Sequence, residues 1–307
     1  MVMDKAREVL VIGGNRYFGK RLIARLLAAG DRVTVLNRGS SRPPAGTIHL
    51  VADRNDEKSL TDALGARTFD VVVDQVCYTP RQAETARRVF AGRTRRYVMT
   101  STVEVYEYED SPTLVREAAV DPLTVPVDLE LPWDDPEFLE THYGEGKRQA
   151  EAVFAAVGPE FPHTTVRVAH VLGGADDFTG RLQHYADRIS SGEPIAVPVV
   201  NRPATYVHVE EIADFLAWAA GEDFTGPVNA ASDGLLTTQE LCEAVAAHFP
   251  DGTTVLHPVE VGEVSPFSFA RSYGMDNSRA ARLGFTFGDV RRWLPGAVAE
   301  TLGKGGN

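Results

Sequence analysis

Cysteine is nearly absent: there are two in 307 residues, Cys77 and Cys242, far apart and outside any metal-ligand spacing. That scarcity excludes a disulfide scaffold and a cysteine-built metal centre, no metal is expected, and the two read as buried thiols in a reducing compartment. Long apolar runs are missing as well. No stretch approaches the ~18 residues of a membrane span and the first eight residues are charged, so neither export nor insertion is expected and the chain reads as cytoplasmic. Positive charge is scarce too: 31 Lys and Arg against 43 Asp and Glu leave a formal net charge of −12. A nucleic acid or an anionic membrane surface is therefore not an expected partner, although a local basic patch can still hold a phosphate. No internal repeat or low-complexity tract interrupts the chain.

What is present begins with Val9–Gly19, an apolar strand running into a glycine-punctuated turn and a helix. Gly13, Gly14 and Gly19 let the backbone turn tightly and approach a pyrophosphate at the helix N-terminus, and Asn15, Arg16, Tyr17 and Phe18 complete the candidate cradle. Arg16 stands where the usual Gly-x-x-Gly-x-x-Gly form has its middle glycine. Any tight strand-to-helix connection can use such a turn, so the downstream pattern has to support it. Further strands are expected at Val33–Leu36, 47–51, Val71–Asp74 and Tyr97–Thr100, alternating with helical periods. The alternation predicts an α/β fold, a Rossmann doubly wound parallel sheet with ligands at the carboxyl ends of its strands. A smaller C-terminal α/β substrate-binding part follows. The boundaries read as 1–170 plus about 205–235 for the dinucleotide domain and the rest of 171–307 for the substrate part.

Where an NAD site wants an acid on the ribose 2′-hydroxyl, this chain has Asn37 and Arg38. An arginine binds a 2′-phosphate that an acid would repel, and Arg16 can close on the same end, so NADP is favoured over NAD. Asp53 stands where an adenine amino group would be met; a helix cap is the competing explanation, with Asn55 as an alternative cap. Gln75 and Val76, directly after the fourth strand, are the remaining cofactor candidates. Beyond the fifth strand come Thr100-Ser101-Thr102-Val103-Glu104 and, after a long interval, Tyr143-Gly144-Glu145-Gly146-Lys147. Tyrosine and lysine four apart share one helix face. Nine tyrosines and five lysines give only about 0.15 chance matches of that spacing, and its order after the glycine turn is harder still to reach by accident.

On these motifs the chain resembles the extended short-chain dehydrogenase/reductase family, the NAD(P)-dependent epimerase/dehydratase group, over nearly its whole length to Met275–Phe285; its turn is closest to the atypical Gly-Gly-x-Arg-Phe-x-Gly branch. The resemblance implies that Thr102 holds the reacting oxygen, Tyr143 donates or accepts the proton, and Lys147 binds the nicotinamide ribose and lowers the tyrosine pKa. Free tyrosine titrates near ~10, so service as a base near neutrality asks for about 3 to 4 kcal/mol. An exposed lysine supplies roughly 0 to 1 kcal/mol, so the shift requires a water-poor cleft. Departures from the sugar-nucleotide pattern fall at His170, in place of the family's asparagine, and at Ala204, in place of its phosphate-binding arginine. Arg202, two residues earlier, is a candidate replacement, and His208 reads as fold support. Glu104 is either a second-step base or a strand-end hydrogen-bond partner; with Val103 where dehydratases carry an aspartate, dehydration ranks low.

Twelve acidic residues and a single arginine, Arg116, fill 104–140; the segment reads as a substrate-covering loop or as a solvated insertion. Helices are expected over Phe178–Ser191 and Val209–Ala220, and a Thr237/Glu240 capping box opens another that ends near His248. The resemblance assigns this half to the substrate, so Phe178, Arg181, Tyr185 and Phe267 are candidates to line it, or core. The reading is an oxidoreductase that moves a hydride to or from a secondary alcohol or ketone of a sugar-like or polyol small molecule, as ketoreductase or epimerase. The alternative is a non-catalytic dinucleotide sensor or an RNA-associated protein, as in chloroplast members of the atypical branch. By family precedent a homodimer would form through the helix that carries the tyrosine and its neighbour.

Overall fold

The computed structural model describes residues 6–109, 111 and 113–303. Buried runs rich in β-branched residues make the strands at 8–12, 32–37 and 71–74, and helices of 8 to 11 residues alternate with them. The chain enters through β1 (Glu8–Ile12), α1 (Phe18–Ala28), β2 (Arg32–Asn37), β3 (Ile48–Val51), α2 (Glu57–Leu64), β4 (Val71–Asp74), α3 (Pro80–Phe90) and β5 (Tyr97–Thr102). It continues through α4 (Pro136–Thr141), α5 (Tyr143–Ala155), β6 (His163–Val168), β7 (His170–Leu172), α6 (Arg181–Ser191), β8 (Ile195–Pro198) and β9 (Tyr206–His208). Last come α7 (Val209–Ala219), β10 (Gly226–Ala230), α8 (Thr238–Ala246), β11 (Leu256–Val259), α9 (Ser278–Leu283) and α10 (Val290–Thr301). Among the described residues no helix is long and apolar enough to cross a membrane.

Seven strands form one sheet in the order β10-β6-β5-β4-β1-β2-β3. The pairs β1–β2, β1–β4, β2–β3 and β4–β5 are parallel, so the chain reverses its direction of winding between β1 and β4. A crevice opens at the carboxyl ends of strands on either side of such a reversal. This is the Rossmann doubly wound sheet that the alternation of elements predicts. By packing, the described residues divide into a first unit within 1–107, 117–167 and 213–228 and a second within 108–116, 168–212 and 229–307; the return to the first unit, drawn at about 205–235 from sequence, spans 213–228.

In the first unit Leu10, Val72, Phe90, Tyr97 and Phe154 are fully buried in one core, with Tyr97 and Phe154 rings 4.9 Å apart. One buried ion pair ties α5 to β6: Arg167 Nη2 meets Glu151 at 2.6 Å, and Ser101 Oγ donates to the same carboxylate at 2.6 Å. The Arg167 guanidinium also donates to the carbonyls of Glu117 and Val120 and so pins part of the acidic segment. Trp133 is buried and donates to the Asp128 carbonyl at 2.8 Å, while Arg81 grips the Leu129 carbonyl and Asp134. Residues 117–140 are thus anchored to the first unit at a few points, with Glu117, Pro122 and Trp133 buried, while most of the segment is exposed, as in a solvated insertion; Asp110 and Pro112 lie outside the described residues.

The second unit is built around β7–β9 and β8–β11, both parallel pairs, with α6, α8 and α10 packed in its core. The capping box at Thr237 and Glu240 forms as the sequence predicts. The helix expected from Phe178 starts three residues later. Thr179 is held by the Asp177 carboxylate and Gly180 is left-handed at φ +66°, which stops the helix from extending toward Phe178. Asp53 and Asn55 do not cap α2. Asp56 does, accepting from the Lys58 and Ser59 amides.

Candidate active site

The glycine turn closes the carboxyl end of β1. Gly13 donates to the Leu36 carbonyl at 2.9 Å, and Gly13 and Gly14 sit at φ +83° and +79°, where an L side chain is strained. Gly19 is needed for a different reason: a Cβ there would lie 2.6 Å from Gly14 Cα and 2.7 Å from its carbonyl oxygen. The left-handed residue between them is Tyr17, buried at φ +50°, rather than Arg16, whose position carries glycine in the usual motif. Phe18 opens α1, which has neither a side-chain cap nor an acidic residue in its first turn. Its positive end is left for an anion.

Of the other cofactor candidates, Asn15, Gln75 and Val76 lie at this turn. Asn15 Nδ2 reaches the Ser41 carbonyl and hydroxyl at 3.1 and 2.8 Å, fastening the loop after β2 to the turn. Asn37 Oδ1 accepts from the Gly39 amide at 2.7 Å and pairs with His49 Nε2 at 3.0 Å, and no carboxylate occupies that strand end. Arg16 and Arg38 are both exposed. Asp53 Oδ1 accepts the Asn55 amide at 2.9 Å. Val76 packs where a Gly13 Cβ would be, and Gln75 where a Gly19 Cβ would be. Among the described residues, two buried amide atoms, Asn15 Oδ1 and Gln75 Nε2, have no hydrogen-bond partner. A turn that only glycine fits, an uncapped helix end and orphaned amide groups beside it are what a dinucleotide crossing the β1–β4 crevice requires.

One layer further along the sheet, β5 ends in Thr100, Ser101 and Thr102, all buried. Ser101 is committed to Glu151, whereas Thr102 Oγ1 accepts the Glu104 amide at 3.2 Å and keeps its own proton to donate. Glu104 follows in a short 3-10 turn and is half-buried. Tyr143 and Lys147 stand one turn apart on α5, and the glycines between them serve close docking. A Cβ on Gly144 would be 2.5 Å from the Glu104 carbonyl, and one on Gly146 2.5 Å from the Tyr78 carbonyl. Lys147 is 1% exposed and donates to the Thr100 carbonyl at 2.7 Å. Burial pushes its ammonium down to about 8, with Cys77, Asp74 and Glu151 working against the shift and Arg54 with it.

Sequence reasoning missed the charge cluster beside this lysine. Asp74, fully buried at the end of β4, pairs with Arg54 and accepts the Tyr97 hydroxyl at 2.5 Å, and its other oxygen takes the Val76 amide at 2.9 Å. Although burial opposes it, Asp74 keeps the Arg54 guanidinium charged and above its ordinary value. Burial pushes the neighbouring Cys77 thiol up to about 11, so it stays protonated. The available signal was an aspartate closing an otherwise apolar Val-Val-Val strand, since a buried charge needs a partner.

The substrate candidates divide. His170 on β7 is buried among the rings of Tyr206, Phe267, Phe269 and Tyr273, with Phe269 stacked on it at 4.8 Å. Its Nε2 and the Tyr206 hydroxyl have no hydrogen-bond partner among the described residues. Burial, with Arg181 and Arg271 adding to it, lowers the imidazole to about 3 and holds it neutral. Arg181, exposed, lies over the Phe267 ring at 5.4 Å, and Phe267 takes φ +59°, a strained backbone of the kind found at ligand sites. Tyr185, by contrast, is core: it is fully buried and its hydroxyl meets the Pro266 carbonyl and Ser268. Phe178 and Arg202 are exposed, and the Arg202 amide donates to the Phe269 carbonyl at 2.7 Å, beside the aromatic cluster. His208 packs on Trp293 at 5.3 Å and fills the space against Gly173.

Residues 9–231 match the NAD dependent epimerase/dehydratase family. The chain belongs to that family. Among curated relatives, the chloroplast stem-loop binding protein of 41 kDa b from Arabidopsis thaliana is 25% identical over 209 residues, 62% of this chain and 49% of that protein. The chain therefore spans about half the length of that relative. The fold is shared with the UDP-glucose 4-epimerase of Thermotoga maritima, solved with UDP-glucose, at a TM-score of 0.73 and 18% identity, covering 97% of this chain and 99% of that one. It is shared also with the Bordetella bronchiseptica enzyme WbmH, solved with NAD+, at a TM-score of 0.71 and 18% identity over 98% of this chain and 100% of that one.

Proposed function

We propose that the protein is an NAD(P)-dependent oxidoreductase that acts on a secondary alcohol or ketone of a sugar-like or polyol small molecule, as a ketoreductase or an epimerase. The observation that carries this reading is the Tyr143–Lys147 pair on α5, its ammonium buried against the Thr100 carbonyl, in the unit that holds the glycine turn. The bound nicotinamide supplies the hydride acceptor or donor. Gly13, Gly14, Asn15, Arg16, Tyr17, Phe18 and Gly19 cradle the pyrophosphate, with Gln75 and Val76 beside it. Thr102 donates a hydrogen bond to the reacting oxygen and Tyr143 gives or takes its proton. Lys147 holds the ribose and keeps positive charge beside Tyr143. Glu104 is the proposed second acid–base group.

NADP is the proposed cofactor, because Asn37 replaces the acid that would repel a 2′-phosphate while Arg38 and Arg16 are exposed to bind one. On the second unit, His170 and Arg181 are the proposed substrate contacts; Phe178 and Arg202 stay in the proposal as exposed contacts, and Tyr185 leaves it. Ala204 is fully buried, so the arginine clamp for a nucleotide diphosphate has no counterpart at that position, which leans the reading toward a reductase. A cytoplasmic homodimer completes the proposal, and because ten of the thirteen residues of α5 are buried within the chain, its pairing face lies outside that helix.

Mass spectrometry of the dinucleotide released on denaturing freshly purified protein tests it. Near-stoichiometric release identifies an epimerase, which retains its cofactor, and the mass reads out whether Arg38 holds a 2′-phosphate. An empty protein that then takes up NADPH reversibly identifies a reductase. The second reading, a non-catalytic RNA-associated or sensor protein, draws on the 25% relative named for stem-loop binding. Under it, Tyr143→Phe changes nothing measurable.

A further inference from the structure

We propose that Tyr78 is a positioning residue for the reacting pair, its ring face holding the Lys147 ammonium against the Thr100 carbonyl and beside the Tyr143 ring. The inference rests on the reading of Tyr143 and Lys147 as that pair. Lys147 Nζ lies 4.6 Å from the centroid of the Tyr78 ring and 5.8 Å from that of Tyr143, and the two rings are 6.1 Å apart, tilted by 47°. The ammonium therefore stands between two aromatic rings with one carbonyl as its hydrogen-bond partner. An ammonium has three protons and is costly to bury unpaired. Among the described residues no carboxylate forms an ion pair with it; Asp74 and Glu151 act at longer range, opposed by Arg54, with Cys77 also near. The ring quadrupole of Tyr78 supplies the missing attraction at close range.

Tyr78 is held for the task. Its amide donates to Gln82 Oε1 on α3 at 2.6 Å, and its carbonyl occupies the space a Gly146 Cβ would need, so the residue just before Lys147 is in contact with the Tyr78 backbone. Ring and ammonium are in this way set by the same two elements. Burial, followed by Asp74, pushes the Tyr78 hydroxyl above its ordinary value, which removes it as a competing base. A leucine at this position is apolar but smaller, and it offers the ammonium no ring face.

The chain has five lysines, so the ε-carbon of each can be followed by NMR in uniformly labelled-lysine protein through a pH titration, with Lys147→Met assigning the resonance. The wild type is expected to titrate near about 8 at Lys147. Tyr78→Phe should keep that midpoint and Tyr78→Leu should lower it by about one pH unit, the size of a cation–π contact out of water. If Tyr78→Leu does not fold, fluorinated phenylalanines at position 78 keep the shape and weaken the ring quadrupole in steps, and the midpoint should fall in the same order. A midpoint that ignores the fluorine series overturns the proposal, as does Tyr78→Phe lowering it as far as Tyr78→Leu. The titration uses no substrate, so a protein that binds no cofactor yet shows the stepwise shift refutes the catalytic reading alone.

Discussion

Replacing Gly19 with alanine isolates the cradle from every other feature of the fold. Gly19 lies inside α1 without a positive φ, so alanine carries no backbone penalty there and gains about 1 kcal/mol of helix propensity. The cost is steric alone. The new Cβ would lie 2.6 and 2.7 Å from two backbone atoms of Gly14, whereas carbon atoms rest at about 3.5 to 4.0 Å. Gln75 can swing aside, but Gly14 is fixed by the turn, so α1 must retreat by about 1 Å, a strain of about 1 to 3 kcal/mol. A retreat of that size breaks at least one charge-assisted bond to a pyrophosphate, about 1.5 to 3 kcal/mol, or ten- to more than a hundredfold in Kd. Fluorescence titration with NADPH and NADH, beside thermal unfolding without ligand, measures both parts. The control is Gly30→Ala, at φ +87° with open space around it; it should lose about 1 to 2 kcal/mol of stability and no cofactor affinity. A Gly19→Ala protein that binds either dinucleotide as tightly as wild type refutes the cradle.

Tyr143→Phe should retain cofactor binding and lose about 10² to 10⁴ in turnover, measured as NADPH oxidation with a panel of ketoses. Lys147→Met should weaken cofactor binding yet stabilise the fold at pH 7 by up to about 3 kcal/mol, because the folded lysine sits at about 8 against an ordinary 10.5. The sign follows from proton counting: between those values the unfolded chain binds the extra proton, so this group makes stability rise with pH from about 8 to 10.5, and urea titrations of the variant should lack that rise. Glu151→Ala strands the buried Arg167 and should cost about 3 to 5 kcal/mol in a denaturant melt. His170, depressed to about 3, should show a flat imidazole NMR shift from pH 8 to 5. Its contribution to stability is complete above pH 6.5 and is lost as pH falls toward 3.

The sheet was legible because its strands announce themselves: Val9–Ile12 and Val71–Asp74 are apolar runs with turn residues after them, and the order of glycine turn, hydroxyl cluster and Tyr-x-x-x-Lys sets the site along the sheet edge. What sequence could not show is contact at a distance. Arg54 and Asp74 are 20 positions apart, and nothing local says that they meet under Lys147. The Gly144 and Gly146 pair looks like a weak helix until the Glu104 and Tyr78 carbonyls are seen against it. Asp56, rather than Asp53 or Asn55, caps α2 because the cap falls to whichever side chain stands at the residue before the first helical turn, and such boundaries are settled by geometry that three polar residues within four positions do not disclose. Tyr185 shares its helix face with Leu182 and Ile189, and only the positions of the Pro266 carbonyl and Ser268 make it core.

The most direct test of the central claim is calorimetric titration of cofactor-stripped wild-type protein with NADPH and, separately, NADH. Saturable binding of one dinucleotide per chain is the predicted result, with NADPH the tighter and its advantage lost in Arg38→Ala. Heat indistinguishable from dilution with both dinucleotides would contradict the account.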